Sequence, residues 1–177
     1  MTVVPRWEWR TFGESFGGAE ERFAALSPEN VQESDEVYLL SLDADESVKV
    51  RDDLLDVKQF EQVNDDGLEQ WRPVLKAQFP LSRAALDSAL AALHASPSPG
   101  GQSAYTLPEL IEEVVGPSRQ LLAVPVHKRR VRYTLGGCMA ELTDVRTDNG
   151  STRTIAVESE DPALVLAAVR ELGLGSR

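Results

Sequence analysis

The chain has 177 residues, a formal net charge of −11 at pH 7, one cysteine and two histidines. This length suits a single domain over residues 1–177 with its own core. One cysteine excludes an intramolecular disulfide, and two histidines argue against a Cys/His zinc site. The acidic balance argues against non-specific binding to nucleic acid or to an anionic membrane surface. With neither a signal peptide nor an apolar run near the ~18 residues of a membrane span, a cytoplasmic location is expected.

Alternating polar and apolar residues predict several strands in the first half of the chain. In residues 6–12, arginine and glutamate occupy one face while Trp7 and Trp9 occupy the other, which is typical of a half-buried strand. A short helix is expected over residues 20–26. Beyond this helix, a meander of strands is predicted over residues 36–63, because acidic turn residues interrupt successive runs of β-forming residues.

A further strand is predicted over residues 68–79, where the alternation places Trp71, Leu75 and Phe79 on one face. Pro73 cannot donate a ladder hydrogen bond, so this strand is expected to lie at an edge or to contain a bulge. The three tryptophans of the chain are interpreted as outer-face residues that pack against helices, with stacking on a nucleobase left open.

Helices are predicted at three further places in the chain. Ser82 is expected to cap a helix over residues 83–95, whose leucines form one buried stripe. The loop over residues 96–103 is rich in serine, proline and glycine and is predicted to be flexible. Another helix is expected over residues 107–115, and the last helix begins at Pro162.

Residues 126–161 predict three antiparallel strands, around which the rest of the chain is organised. Gly136 with Gly137, and Asn149 with Gly150, lie between alternating runs and provide the positive φ that tight hairpin turns need. Residues two apart share a strand face, so the cations of the first strand lie together, and one sheet face is charged while the other is apolar. The charged residues of this face are Lys128, Arg130, Arg132 and Glu158.

Cations recur on the polar phase of at least six predicted strands, interleaved with carboxylates. Helices with one apolar stripe can cover the other face, so the charged face must meet solvent or line a cavity. An open sheet would leave these charges solvated and screened. A closed barrel would enclose a site for a polyanion and a divalent metal, because guanidinium groups match phosphate oxygens and carboxylates bind Mg²⁺ or Mn²⁺. The cations are Arg6, Arg10, Lys49, Arg51, Lys58, Arg72, Lys76, Lys128, Arg130 and Arg132.

A series of short charged segments follows in a fixed order along the chain. These are the first strand with Arg6, Glu8 and Arg10, the pair Lys49-x-Arg51, Lys58, Arg72, the K-x-R-x-R run Lys128, Arg130 and Arg132, the A-E-L-x-D segment with Glu141 and Asp144, and V-E-S-E-D with Glu158 and Glu160. Together with the intervening helix, they resemble the CYTH superfamily, the triphosphate tunnel metalloenzymes, over nearly the whole chain. The resemblance implies an α+β fold in which an antiparallel eight-stranded β-barrel forms a tunnel, with helices packed on the outside.

The resemblance also implies a site in which basic residues bind phosphates and acidic residues bind Mg²⁺ or Mn²⁺. Arg130 and Lys58 would have the catalytic role of stabilising the charge that develops during hydrolysis. Arg6 and Ala156 depart from the family pattern, since they stand where glutamates are expected. Replacing a carboxylate by a cation lowers metal affinity and favours phosphate without metal. The implied phosphate-binding residues are Arg10, Lys49, Arg51, Lys58, Arg72, Lys76, Lys128, Arg130 and Arg132, and the implied metal ligands are Glu8, Glu141, Asp144 and Glu158.

Members of the superfamily include inorganic triphosphatases, thiamine triphosphatases and adenylate cyclases. The leading hypothesis is binding and metal-dependent hydrolysis of a triphosphate-containing substrate, namely inorganic triphosphate, thiamine triphosphate or a nucleotide. The alternative is a non-catalytic polyphosphate- or nucleotide-binding module with a degenerate metal site, and a solvated charged face is the third interpretation. The expected partner is a small triphosphate or polyphosphate, with no nucleic acid and no membrane, and the oligomeric state is left open, a dimer included.

On the tunnel hypothesis, the sequence predicts how two substitutions behave. Arg51→Ala or Arg130→Ala should abolish triphosphate binding while sparing or raising thermal stability. The reason is that clustered cations repel one another in an empty site. A clear loss of stability would instead indicate structural ion pairs.

Overall fold

The structure is a computed structural model that describes residues 3–96 and 101–175. Half of the predicted loop over 96–103 falls on residues 97–100, which lie outside the described residues. The chain divides into two compact units, of which the first comprises Met1–Ser34, Glu61–Trp71 and His127–Arg177 and the second comprises Asp35–Phe60 and Arg72–Val126. The assignment of the whole chain to a single domain stays a prediction.

Eight of the strands form a closed antiparallel barrel in the order β1-β10-β9-β8-β2-β3-β4-β5, and β6 and β7 pair as a separate two-stranded sheet. The predicted α+β fold with an eight-stranded antiparallel barrel is therefore confirmed. The strands in the described part of the chain are β1 (Arg6–Gly13), β2 (Asn30–Ser41), β3 (Ser47–Arg51), β4 (Leu54–Val63), β5 (Glu69–Gln78), β6 (Leu81–Ser82), β7 (Ala104–Tyr105), β8 (Leu121–Leu135), β9 (Cys138–Thr147) and β10 (Gly150–Ser159).

The helices begin close to the predicted positions. They are α1 (Gly18–Ala24), α2 (Arg83–Ala92), α3 (Leu107–Glu109), which continues as a π-helical segment (Leu110–Val115), and α4 (Pro162–Glu171). Thr106 and Glu109 form a reciprocal capping box at the start of α3. The π-helical hydrogen bonding of the segment that follows was not expected from its sequence, which satisfies an ordinary helical pattern. Within the described ranges, no helix is both long and apolar enough to cross a membrane.

The first unit buries its apolar residues between the helices α1 and α4 and the outer face of its strands. Ile155 and Val157 of β10 are fully buried in this cluster with Val165 of α4. Trp7 and Trp9 pack against the same cluster, as predicted for outer-face residues. Because strand residues alternate between faces, this packing leaves the charged residues of β1 and β10 on the opposite face.

The second unit has its own apolar core, formed by β3, β4 and α2. Val48, Val50 and Leu55 are buried with Leu86 and Leu90 of the helix, as the predicted leucine stripe requires. Packing on this cluster determines which strand face of the second unit is apolar, as the first core does for the strands of the first unit. The alternate residues of β3 therefore point away from the core.

The strand β5 does not keep one alternation along its length. Trp71 lies directly opposite Arg6, and opposed residues of antiparallel strands share a face. The indole Nε1 of Trp71 donates a hydrogen bond of 3.1 Å to Glu69 Oε2. Leu75 instead belongs to the apolar core of the second unit. The prediction that Trp71 is an outer-face packing residue alongside Leu75 is therefore wrong, because the alternation breaks near Pro73, which has no N–H to donate.

The cap of α2 offers a local test of this fold. The Oγ of Ser82 accepts a hydrogen bond of 3.1 Å from the N–H of Ala85. We expect Ser82→Ala to lower the free energy of unfolding by about 1 kcal/mol and the melting temperature by about 2–4 °C. Ser88→Ala, at an exposed position inside the same helix, is the matched control and should cause no loss. Equal thermal melting curves for the two variants would contradict the capping role.

Candidate functional site

The strands β1, β10, β9 and β8 are consecutive neighbours, and their register places charged residues in rows. In one row Arg10 lies opposite Ala156, which lies opposite Glu141, which lies opposite Arg132. Glu8 lies opposite Glu158 in the next row. These side chains share one strand face, the face opposite the first core. We call this set the charged face, and its members are Arg6, Glu8, Arg10, Lys128, Arg130, Arg132, Glu141 and Glu158.

Arginine–carboxylate contacts run across the charged face. Arg10 Nε lies 2.9 Å from Glu8 Oε1, and Arg10 Nη2 lies 3.3 Å from Glu141 Oε1. The other oxygen of Glu141 lies 2.8 Å from Arg130 Nε, so this carboxylate bridges two arginines. Arg6 Nε lies 3.3 Å from Glu158 Oε1. Each of the three carboxylates of this face therefore has a guanidinium group beside it.

A buried hydroxyl fixes the position of the Arg10 side chain. Arg10 Nη1 donates a hydrogen bond of 3.1 Å to Thr154 Oγ1. Thr154 Oγ1 in turn donates to the carbonyl oxygen of Thr11 at 2.9 Å. The guanidinium is thus held by Glu8, Thr154 and Glu141 together, which limits its rotamers. Ala156, between Arg10 and Glu141 in the row, has no side chain that would obstruct the approach of these two residues across β10.

Two of the cations of β8 are held away from solvent. Lys128 is 9% exposed and Arg130 is 5% exposed, which is unusual for charged residues. Burial by itself raises the pKa of the Glu141 carboxyl, but the positive charges of Arg10 and Arg130, with those of Lys128 and Arg132, outweigh burial and hold the pKa below its usual value. Glu141 is therefore the ionised centre of this cluster.

The second unit carries a charged strand face of its own. Lys49 of β3 lies opposite Asp56 of β4, while Ser47 lies opposite Lys58. Val48 and Val50 alternate with these residues and face the core. The structure therefore places Lys49, Arg51 and Lys58 on one strand face, as the sequence predicts.

The remaining predicted phosphate-binding residues lie on β5. Arg72 is half-buried beside Pro73, and Lys76 is exposed. Lys76 alternates with Leu75 and Ala77, which pack on the core of the second unit, so it occupies the strand face opposite that core.

Asp144 is not brought together with the other predicted metal ligands. It lies three residues after Glu141 on β9, and residues an odd number apart face opposite sides of a strand. It pairs in register with Arg129 and Arg153. Arg153 Nε lies 3.1 Å from Asp144 Oδ1, and the Asp144 side chain is 57% exposed.

Sequence reasoning missed several polar residues that are buried in the barrel strands. Glu36 lies in β2 and is 1% exposed. It shares a strand face with Tyr38, which lies opposite Lys49. Thr143 and Thr154 are buried on the polar phase of β9 and β10. Extending the alternation of β2 upstream of residue 36 would have placed Glu36 within the strand, on the same face as Tyr38. Isolated threonines give no such signal.

The carboxylates of the charged face do not fit a divalent metal as they are arranged. In the portion of the chain that the structure describes, no three Asp, Glu, His or Cys side chains are grouped so that they could hold a metal ion. Mg²⁺ and Mn²⁺ bind through oxygen ligands, and at phosphate sites one or two protein carboxylates must be available to the ion. Here the carboxylate oxygens of Glu8, Glu141 and Glu158 form ion pairs with arginine side chains instead.

Comparisons with known proteins give similarity in structure alone. No family model matches the sequence, and no curated protein matches it. HpAC1 from Hippeastrum, an adenylyl cyclase candidate described as having a dominant triphosphatase activity, is 14% identical, with a TM-score of 0.51 over 96% of this chain and 88% of that chain. An adenylate cyclase candidate from Bacillus halodurans is also 14% identical, with a TM-score of 0.51 over 96% of this chain and 89% of that chain. At this identity the likeness shows the fold alone, and that fold agrees with the eight-stranded antiparallel barrel expected from the sequence.

Proposed function

We propose that this protein binds a triphosphate or short polyphosphate, free or as part of a small molecule, and that the charged face of the first unit contributes to the binding site. The observation that carries the proposal is the pair of buried cations on β8, Lys128 and Arg130, at 9% and 5% exposure. Burying a cation is costly unless an anion accompanies it. The four strands of the charged face supply five cations against three carboxylates, so an anionic ligand would complete the charge balance.

The overall charge of the protein restricts the size of this ligand. At a net charge of −11, the field around the molecule repels large polyanions such as nucleic acids. A small phosphate chain can instead be surrounded by the local cations. Arginine suits this role because its planar guanidinium donates paired hydrogen bonds to phosphate oxygens and stays charged at every physiological pH.

Hydrolysis of the phosphoanhydride is the enzymatic form of the proposal. The fold shared with HpAC1, which is described as a triphosphatase, supports it. Arg130 would then stabilise the negative charge that develops on the phosphoryl oxygens. The alternative is a non-catalytic binding module, and the arginine contacts on Glu8, Glu141 and Glu158 favour it, since these carboxylates are not arranged to bind a metal.

Thermal melting tests both forms of the proposal. Tripolyphosphate at 100 times its dissociation constant should stabilise the protein by about 2.7 kcal/mol, which raises the melting temperature by roughly 5–11 °C for a chain of this size. The melts are repeated with EDTA, Mg²⁺ and Mn²⁺, and phosphate release is measured in the same samples. Release would establish hydrolysis, while stabilisation without release would establish the binding module. The absence of any shift up to millimolar tripolyphosphate would contradict the proposed function.

A further inference from the structure

We infer that Arg6 and Arg10 occupy the place of a divalent cation on the charged face, so that the phosphate ligand binds there without metal. The inference rests on the proposed function, because it concerns how the same site binds its ligand. It goes beyond that function by assigning to two arginine side chains the positive charge that a metal ion would otherwise supply to the phosphate. It also reverses the cofactor expectation drawn from the sequence, which was Mg²⁺ or Mn²⁺.

The first step of the argument is the alternation of β1. Arg6, Glu8 and Arg10 follow one another on the same strand face, so the carboxylate of Glu8 lies between two guanidinium groups along the strand. Arg10 contacts Glu8 at 2.9 Å and Glu141 at 3.3 Å, and Arg6 contacts Glu158 at 3.3 Å. Two arginines of one strand therefore contact every carboxylate of the charged face.

The second step concerns what a metal ion would have to displace. Mg²⁺ takes oxygen ligands at about 2.0–2.1 Å in near-ideal octahedral geometry, and it gives up water reluctantly. Here it would have to separate Glu141 from Arg10 and Arg130, both of which would keep their positive charge. Lys128 and Arg132 lie on the same face and add to the repulsion of any incoming cation. The cluster therefore selects against a divalent ion.

The third step concerns what the arginines offer to phosphate. The side chains of Arg6 and Arg10 are 35% and 31% exposed, whereas that of Arg130 is 6% exposed. The β1 arginines are thus more accessible than the buried cations of β8, Lys128 and Arg130. A guanidinium with five N–H donors can contact a carboxylate and a phosphate oxygen at once. Thr154 further restricts Arg10, so less side-chain entropy is lost when the ligand binds.

The first measurement is the affinity for tripolyphosphate by isothermal titration calorimetry in EDTA and in Mg²⁺. We expect binding in EDTA at least as tight as in Mg²⁺, because Mg²⁺ in solution competes for the phosphate oxygens. Binding that needs Mg²⁺ or Mn²⁺, or that tightens more than roughly tenfold with either, would overturn the inference.

The second measurement is the binding of Mn²⁺ alone, followed by electron paramagnetic resonance without any phosphate. The wild-type protein should bind Mn²⁺ no tighter than millimolar. Arg6→Glu adds a carboxylate beside Glu8 and frees Glu158, so its affinity for Mn²⁺ should rise at least about tenfold. Arg119→Glu is the matched control, since it makes the same charge change at an exposed residue between the π-helical segment and β8. Micromolar Mn²⁺ binding by the wild type, or equal affinities of the two variants, would overturn the inference.

These measurements separate failure of the inference from failure of the proposed function. If tripolyphosphate binds only with metal, the function stands and the role of the arginines is wrong. If tripolyphosphate binds under no condition, the proposed function fails first. The wild-type Mn²⁺ titration needs neither a folded variant nor a phosphate ligand, so it decides the metal question even if Arg6→Glu does not fold.

Discussion

Glu141→Gln is expected to lower the free energy of unfolding by about 3 kcal/mol at pH 7. The glutamine keeps the shape of the side chain but removes the negative charge that bridges Arg10 and Arg130. With that charge gone, two guanidinium groups repel each other in a partly buried setting. The melting temperature should fall by roughly 6–12 °C.

The effect of Glu141→Gln should depend on pH. Because the pKa of Glu141 is lower in the folded chain than in the unfolded chain, its carboxylate stabilises the fold at neutral pH, and this contribution is lost as the pH falls through the folded pKa. The difference in the free energy of unfolding between wild type and variant, measured by urea unfolding, should therefore become smaller below about pH 4.3. Asp144→Asn on the same strand is the control. Because the side chain of Asp144 is exposed, this substitution should change the free energy of unfolding by less than about 0.5 kcal/mol.

Although Glu141→Gln should lower the stability of the protein without ligand, it should increase the stabilisation that the ligand provides. Tripolyphosphate would supply the negative charge that the variant lacks, so the ligand should raise the melting temperature of the variant by more than it raises that of the wild type. A variant as stable as Asp144→Asn, or one with a smaller ligand-induced shift than the wild type, would show that Glu141 is not the internal counter-anion of the cluster.

Arg130→Met is expected to weaken tripolyphosphate binding by about 100-fold, which corresponds to the loss of one or two charge-assisted hydrogen bonds. Methionine fills part of the buried volume without a charge. The structure also changes the stability expectation for this residue. The sequence predicted that removing Arg130 would spare or raise stability, but its guanidinium lies 2.8 Å from Glu141, so we expect a loss.

Arg129→Met is the matched control for Arg130→Met. The two residues are neighbours on β8 but face opposite sides of the strand, and Arg129 is exposed. Calorimetric titration of both variants in EDTA measures the effect on binding, and urea unfolding measures the effect on stability. Equal affinities for the two variants would place the ligand away from the charged face.

The strands and their charged faces were predictable because their signal recurs along the chain, whereas the closed barrel was implied by the resemblance to the CYTH superfamily. The alternation of cations with apolar residues in β1, β3 and β8 is a local pattern of period two, and each instance indicates the same face. The Ser82 cap and the glycine turn at Gly136 and Gly137, with φ of 58° and 80°, were likewise encoded within a few residues. Such features need no knowledge of which strands become neighbours.

The errors lie where a residue's role depends on its neighbours in space. The resemblance of the A-E-L-x-D segment implied Asp144 as a metal ligand, yet its odd spacing from Glu141 places it on the other strand face. Trp71 was grouped with Leu75 by alternation, which a break near Pro73 interrupts. The partnership of Arg10 with Glu141 joins residues 131 positions apart in the chain and depends on the strand register alone.

The small side chain of Ala156 links three positions on the charged face. Ala156 lies between Arg10 and Glu141 in the row across β1, β10 and β9, and the two charged side chains meet over it at 3.3 Å. A glutamate placed at position 156 would crowd this contact and would offer Arg10 a second carboxylate. Positions 10, 141 and 156 are therefore expected to be energetically coupled, so a substitution at one of them should change the effect of a substitution at another.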